Sequence, residues 1–308
     1  MSETDCQYIS SRGILKSCDI RSLVPHSSIQ VLYQYNQSLE SGKDGDVIYL
    51  CSMAVKYNIG LLKSLKYKFI LVTGDSDITC PNDMFASMDE FAAFAENPRL
   101  IHWFSQNCYV RGHPKLTGIP IGMDYHTLLA DNHHYWGTQT SPIDQEKWLK
   151  RIRAKSPPFS ARNMKCYDNF TCTNRLARRQ FGADRLDAIA KIPADLVYSE
   201  PNLVPRITSW KTQSEYTFVI SPLGNGLDCH RTWEALLLGC IVIVKTSPID
   251  YLYKDLPVWI VHDWKNVYKE SMVEKMAEFK EKETNSAFLW EKLNLEYWIG
   301  QCKSFAKK

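Results

Sequence analysis

Residues 216–244 read YTFVISPLGNGLDCHRTWEALLLGCIVIV. Tyr216 to Ile220 is an apolar run of strand length, and Cys240 to Val244 is another. Between them stand the loop Ser221-Pro222-Leu223-Gly224-Asn225-Gly226-Leu227-Asp228 and a helical stretch, Cys229 to Leu238, that Gly239 stops. Asp228 is the residue type that caps a helix N-terminus. Strand, glycine loop, helix and strand in about 30 residues form a repeating unit of a parallel sheet, so the stretch predicts an α/β fold.

That unit is suited to holding phosphates. Glycines let backbone amides approach an anion, and the unpaired amides and partial positive charge of a helix N-terminus favour negative charge. Arg231, in the first turn, would add a fork of donors to a diphosphate. Glu234, three residues on and on the same face, would accept from ribose hydroxyls. The alternative is an ordinary turn at Gly224 and Gly226 with Arg231 paired to Glu234 on a solvated face. Cys229 stands where the dinucleotide fingerprint has its third glycine, and the lysine of a Walker loop is missing, which disfavours hydride transfer and ATP hydrolysis.

Working outward, the first half alternates short apolar segments with polar or helical ones. Gln30 to Tyr33, Val47 to Cys51, Phe69 to Val72, Leu100 to Trp103 and Leu116 to Ile119 read as strands. Tyr57 to Leu65 and Ser87 to Ala95 carry helical spacing. Pro142 to Ala154 reads as a polar helix, which Ser156-Pro157-Pro158 breaks. A chain of 308 residues exceeds the roughly 100–200 of one domain, so the boundary is placed at the break. Residues 1–158 would form an N-terminal acceptor-binding domain and 159–308 a C-terminal nucleotide-sugar-binding one. The second begins with a strand at Met164 to Phe170, a basic helix from about Arg175 to Lys191 and a strand at Leu196 to Tyr198. Ser286 to Phe305 has the spacing of an amphipathic helix packing back on the body.

Composition narrows the function. Hydrophobic residues make up 44% and charged residues 23%, which excludes global disorder. A net charge of +3 with scattered basic residues indicates no nucleic-acid groove. No apolar run reaches the roughly 18 residues that span a bilayer, and Met1 to Ser17 is too polar for a signal peptide. The expectation is a soluble cytoplasmic protein, at most peripheral to a membrane, whose ten cysteines are reduced thiols. Cys166 and Cys172 lack the second pair a zinc site requires.

SPLGNGLDCHRTWEALLLGCIVIV resembles the signature of the exostosin-like, family 47-type glycosyltransferases. That group includes viral and microbial members and related xylosyl and glucuronosyl transferases. Weaker echoes occur at LVTGDSDITCP (71–81), HWFSQNCYVRGHPKLTGIPIGMD (102–124) and YDNFTCTNRLARR (167–179). The resemblance implies GT-B architecture, two Rossmann-like domains facing a cleft. It also implies inverting transfer from a UDP-sugar, UDP-xylose among the candidates, to a hydroxyl of a glycan or glycoprotein acceptor, with no cofactor or metal required. By position it puts Arg231 on the diphosphate and Glu234 on the ribose. Asn169, Thr173 and Arg175 would add phosphate contacts, and the Ser221 to Asp228 loop would line the site. The membrane anchor of animal and plant members is not found here, which suits a soluble member.

An inverting transfer needs a base for the acceptor hydroxyl, and a carboxylate of the first domain would serve. Asp77, at the carboxyl end of the Phe69 to Val72 strand, is the choice, with Asp75, His113 and Asp124 assigned to the acceptor. The same Asp75-Ser76-Asp77 resembles the metal-holding DxD of GT-A transferases, the alternative fold, or forms a plain turn. His102 and His126 flank the same loops and His230 adjoins Arg231. His133-His134-Tyr135-Trp136 is either a sugar-stacking loop or bare surface. A protein of this fold that binds sugar or nucleotide without catalysis is the second functional reading.

Overall fold

The computed structural model describes residues 2–25, 35–171 and 180–306. It is an α/β fold with two separate sheets, every strand pairing being parallel. The first sheet runs β1 (Asp46–Cys51), β2 (Phe69–Gly74), β3 (Leu100–Ser105), β4 (Leu116–Gly118) in that order. Parallel strands are covered on both faces and read as continuous apolar runs, which is why these four were legible in sequence. The expected strand Gln30 to Tyr33 lies outside the described residues.

Alternation sorts the side chains of the first sheet. Ile48, Leu50, Phe69 and Leu71 face a core closed by Leu62 of α2 (Val55–Ser64) and Phe91 and Phe94 of α3 (Met88–Ala95). Both crossovers step the same way along the sheet, so right-handedness puts both helices on one face. The other face, with Val47, Tyr49, Ile70, Val72 and Phe104, packs on α1 (Ser11–Lys16) and on α10 (Leu295–Ala306). The chain's last helix therefore covers the first sheet.

The expected helix from Ser286 to Phe305 is broken. Ser286 has φ +53°, Trp290–Leu293 is a 3-10 turn, and the α-helix starts only at Leu295. Phe288 packs against Phe279 in the core of the second sheet, whereas Leu295 and Trp298 join the core of the first. One straight helix would not reach both.

In the second sheet the order is β6 (Val197–Ser199), β5 (Asn163–Asp168), β7 (Tyr216–Ile220), β8 (Ile241–Lys245), β9 (Val258–Val261). Its helices are α6 (Ala183–Lys191), α7 (Arg206–Gln213), α8 (His230–Leu237) and α9 (Lys269–Thr284). Of the expected basic helix, Ala183–Lys191 is helical; residues 172–179 lie outside the described residues. Phe218, Ile220, Ile241 and Ile243 pack with Ala188, Met272 and Phe279. Val219, Val242 and Val244 pack with Trp210 and Trp233 in the same apolar cluster that underlies the first sheet. The two sheets thus share one continuous layer. The remaining helices are α4 (His126–Ala130) and α5 (Pro142–Lys155), which lies against α7. Gly239, at φ +75°, ends α8 with Arg153 of α5 packed where a Cβ would stand.

Candidate functional site

The order 6-5-7-8-9 reverses direction between β5 and β7, since β5 connects outward to β6 while the chain returns to place β7 on its other side. Carboxyl ends flanking such a switch point diverge and leave a crevice. Here a cavity of about 700 Å³ opens at that place. Asp168, Asn169, Phe170 and Thr171 after β5, and Gly224, Asn225 and Gly226 after β7, form its floor. Asp77, Ile121, Tyr135 and Trp136 of the first half close the opposite wall.

Arg231 is the cation of the first turn of α8. Its Nη2 donates to Pro222 O at 2.8 Å, and the guanidinium lies over the Phe170 ring at 5.3 Å. Nε is buried and makes no hydrogen bond within the described residues. Burial pushes its pKa down, against the charges of Cys229 and Asp168. Asp168 is in turn pushed up by burial, partly offset by the Ser199 hydroxyl and Arg231. Arg185 of α6 enters from the other side, donating to Thr171 O at 2.6 Å.

Glu234 does not pair with Arg231. Its Oε1 bonds Arg206 Nη2 and its Oε2 accepts from Trp210 Nε1 at 2.9 Å. The Arg206 guanidinium is sandwiched between Trp136 at 4.8 Å and Trp210 at 4.6 Å. It also donates to Asp124 O and Gln145 Oε1. Arg206 thereby ties the aromatic loop to α7 and α8.

The glycine loop spends much of itself on the protein. Leu223 N donates to Asp184, Gly224 N to Gly226 O, and Asp228 N to Asn107 Oδ1. A Cβ on Gly226 would stand 2.9 Å from Asp77 O and 3.0 Å from Asn107 Nδ2. Close approach is needed there to seat the loop on the first half's β2 and β3 loops. Asp228 is not the cap of α8: Cys229 holds that position. The Asp228 carboxylate instead accepts from Ile121 N at 2.8 Å and Trp233 Nε1 at 2.9 Å, joining the halves. Burial pushes its pKa up to about 6 despite these bonds. The amides of His230 and Arg231, at the start of the helix, have no acceptor four residues back within it, and both residues line the cavity.

Of the residues expected at the site, Asp77, Asn169, Gly224, Asn225, Gly226, Asp228, Arg231 and Glu234 come together around the cavity. Ser221 lies beneath it, bonded to Thr232 Oγ1 at 2.8 Å. Thr173 and Arg175 lie outside the described residues. Asp75, at φ +55°, turns away from the cavity to Arg12, with Asp75 Oδ2 and Arg12 Nε 3.7 Å apart. The two carboxylates of the DxD-like segment therefore do not converge. His113 sits just before β4, its ring against Phe91 at 5.3 Å, away from the cavity. His102 is a core residue stacked on Phe305 at 4.0 Å. Asp124 is buried beside the cavity wall. Burial alone would raise its pKa, but the positive charge of His126, His230 and Arg206 and the Thr127 amide hold it well below the usual carboxylate range. Tyr135 and Trp136 do reach the cavity. Arg185, Arg206 and Trp210 were missed. Their only sequence signal is a basic stretch and a Pro-Arg helix start at residues 205–206.

No protein-family model matches the chain, and no curated protein matches it. Among solved structures, the chain is similar to one described as trehalose-6-phosphate from E. coli bound with UDP-2-fluoro glucose. Identity is 8%, over 86% of this chain and 72% of that one, with a TM-score of 0.33. A likeness that loose fixes no chemistry. Among the described residues no helix is long and apolar enough to cross a membrane.

Proposed function

We propose that this chain is an inverting glycosyltransferase of the exostosin-like kind, with GT-B architecture, taking its donor as a UDP-sugar. One observation carries the reading. A cavity at the switch point of a parallel sheet presents a helix N-terminus and the buried, incompletely bonded guanidinium of Arg231, and a carboxylate from the other half, Asp77, faces it. The volume of about 700 Å³ falls among ligand sites, which run to about 300–1,000 Å³.

In this reading the diphosphate lies on the amides of His230 and Arg231, with Arg231 and Arg185 meeting its charge and Asn169 and Asn225 adding donors. Glu234 accepts from the ribose through the lone pairs that Arg206 and Trp210 leave. Asp77 takes the proton of the acceptor hydroxyl as its oxygen attacks the anomeric carbon. The bond to the β-phosphate oxygen breaks on the opposite face and UDP carries away the electron pair. Arg231 and the helix N-terminus stabilise that developing charge, so the step calls on no metal at Asp75 and Asp77. The acceptor, a glycan or glycoprotein hydroxyl, enters beside Asp77 and the Tyr135 and Trp136 rings. Xylose is the sugar that the related transferases suggest.

The test is calorimetry of UDP and a UDP-sugar panel with and without EDTA, followed by turnover with glycan acceptors. UDP binding should survive EDTA. Asp77→Asn should keep UDP affinity and lose about 10²–10⁴-fold in turnover. Near wild-type turnover in that variant would remove Asp77 as base, and binding with no turnover on any acceptor would leave the non-catalytic reading.

A further inference from the structure

Beside the cavity, three side chains of metal-ligand type converge from two distant parts of the chain. Asp124 and His126 stand at the start of α4, and His230 opens α8. One ligating atom of each lies within 4.8 Å of the others. Asp124 Oδ1 and His126 Nδ1 are 3.2 Å apart, and the two imidazole rings are 5.8 Å apart between centroids. An aspartate beside a histidine would by itself be an ordinary hydrogen bond.

Three further features distinguish this cluster. His230 Nδ1 is 2.7 Å from Gly122 O. A carbonyl only accepts, so that nitrogen carries a proton and Nε2 is the nitrogen left to ligate, the arrangement by which ligating histidines are oriented. Asp124 is likewise held, accepting from the Thr127 amide at 2.9 Å and hydroxyl at 2.8 Å. The nearest arginines are engaged with other carboxylates, Arg12 with Asp75 and Arg206 with Glu234, so neither side chain fills the place between Asp124 and the two imidazoles.

We propose that Asp124, His126 and His230 bind one divalent transition-metal ion of the zinc class, which pins the loop after β4 to the N-terminus of α8. Two imidazoles and one carboxylate suit zinc and its neighbours rather than magnesium or calcium, which prefer oxygen alone. Three protein ligands leave a fourth position for water or a ligand group. His230 lies over 100 residues from Asp124 and His126 in sequence, so the ion would favour the folded chain over the unfolded one. The site stands independently of the transferase reading, because it is tested without nucleotide.

The metal-stripped, reduced full chain is titrated with Zn²⁺ by calorimetry and with Co²⁺ by absorption. One equivalent should bind, raise Tm, and give cobalt d–d bands without thiolate charge transfer. His126→Ala and His230→Ala should each weaken binding by more than the about 10–100-fold that loss of an orienting partner costs. The exposed-histidine control His262→Ala should bind as wild type. The proposal is overturned by no stoichiometric binding, by a thiolate spectrum, or by unchanged affinity in either ligand variant. Should those variants misfold, the wild-type stoichiometry and cobalt spectrum decide alone.

Discussion

Arg231→Met separates ligand binding from stability. Among the described residues of the ligand-free protein the arginine gives one charge-assisted hydrogen bond, to Pro222 O, worth about 1.5–3 kcal/mol. Its stacking on Phe170 adds about 0.5–2 kcal/mol. Against this stand a buried Nε–H without an acceptor among the described residues, costing about 1–3 kcal/mol, and the desolvation of a cation, several kcal/mol more. The opposing terms are of similar size, and methionine keeps the apolar stem. Ligand-free stability, read by urea denaturation, should therefore stay within about 1 kcal/mol of wild type or rise. UDP binding should behave oppositely. Each lost charge-assisted bond to phosphate costs about 1.5–3 kcal/mol, so calorimetry should show Kd weakened about 10- to 150-fold or more. UDP at 100 times the wild-type Kd should stabilise wild type by about 2.7 kcal/mol and the variant by far less. A loss above about 3 kcal/mol without ligand, together with unchanged UDP affinity of the folded fraction, would make Arg231 a structural residue and refute the reasoning.

Gly226→Ala should cost about 1–3 kcal/mol in denaturant titrations, because its Cβ meets the Asp77 carbonyl at 2.9 Å. Gly224→Ala should cost less, since its nearest neighbours are the side-chain ends of Cys229 and Arg185. Arg206→Ala should destabilise by about 3–5 kcal/mol by leaving the buried Glu234 carboxylate to Trp210 alone. Adding Glu234→Gln should recover part of that loss; no recovery would mean the aromatic sandwich, not the ion pair, is what matters. For Asp168, burial raises the pKa above 3.8. The folded state then holds its proton to higher pH than the unfolded state does, and stability falls as pH rises from 3.8 through the folded value. Asp168→Asn, which can still accept from Ser199, should match wild type near pH 4 and exceed it at pH 7. Equal stability at both values would count against the raised pKa.

The parts of the fold legible in sequence are those whose signal is local. Phe69 to Val72 and Ile241 to Val244 are apolar on both faces because parallel strands are covered on both. Gly239 marked the end of α8 because a left-handed residue is needed there. The helix α9 escaped notice: over Lys269–Thr284 only Ser271, Met272 and Phe279 are buried, too sparse a stripe to stand out. Arg206 escaped for another reason. Its role is set by Trp136, Asp124 and Glu234, which reach it only across the folded molecule.

What the sequence by itself determined is the α/β class, the strand, loop and helix of residues 216–244, and a set of glycine, arginine and carboxylate positions that do meet around one cavity. Tertiary structure alone decided how those groups are used. A glycine that admits a phosphate and a glycine that admits a neighbouring loop look alike in sequence, since each only lacks a Cβ, and Gly226 proves to admit the Asp77 loop. Likewise Asp75 and Asp77 are equivalent in sequence until backbone torsions send one to Arg12 and the other to the cavity. His230 meets Asp124 and His126 only because the two sheets share one core, and no periodicity along the chain encodes a contact over so long a separation.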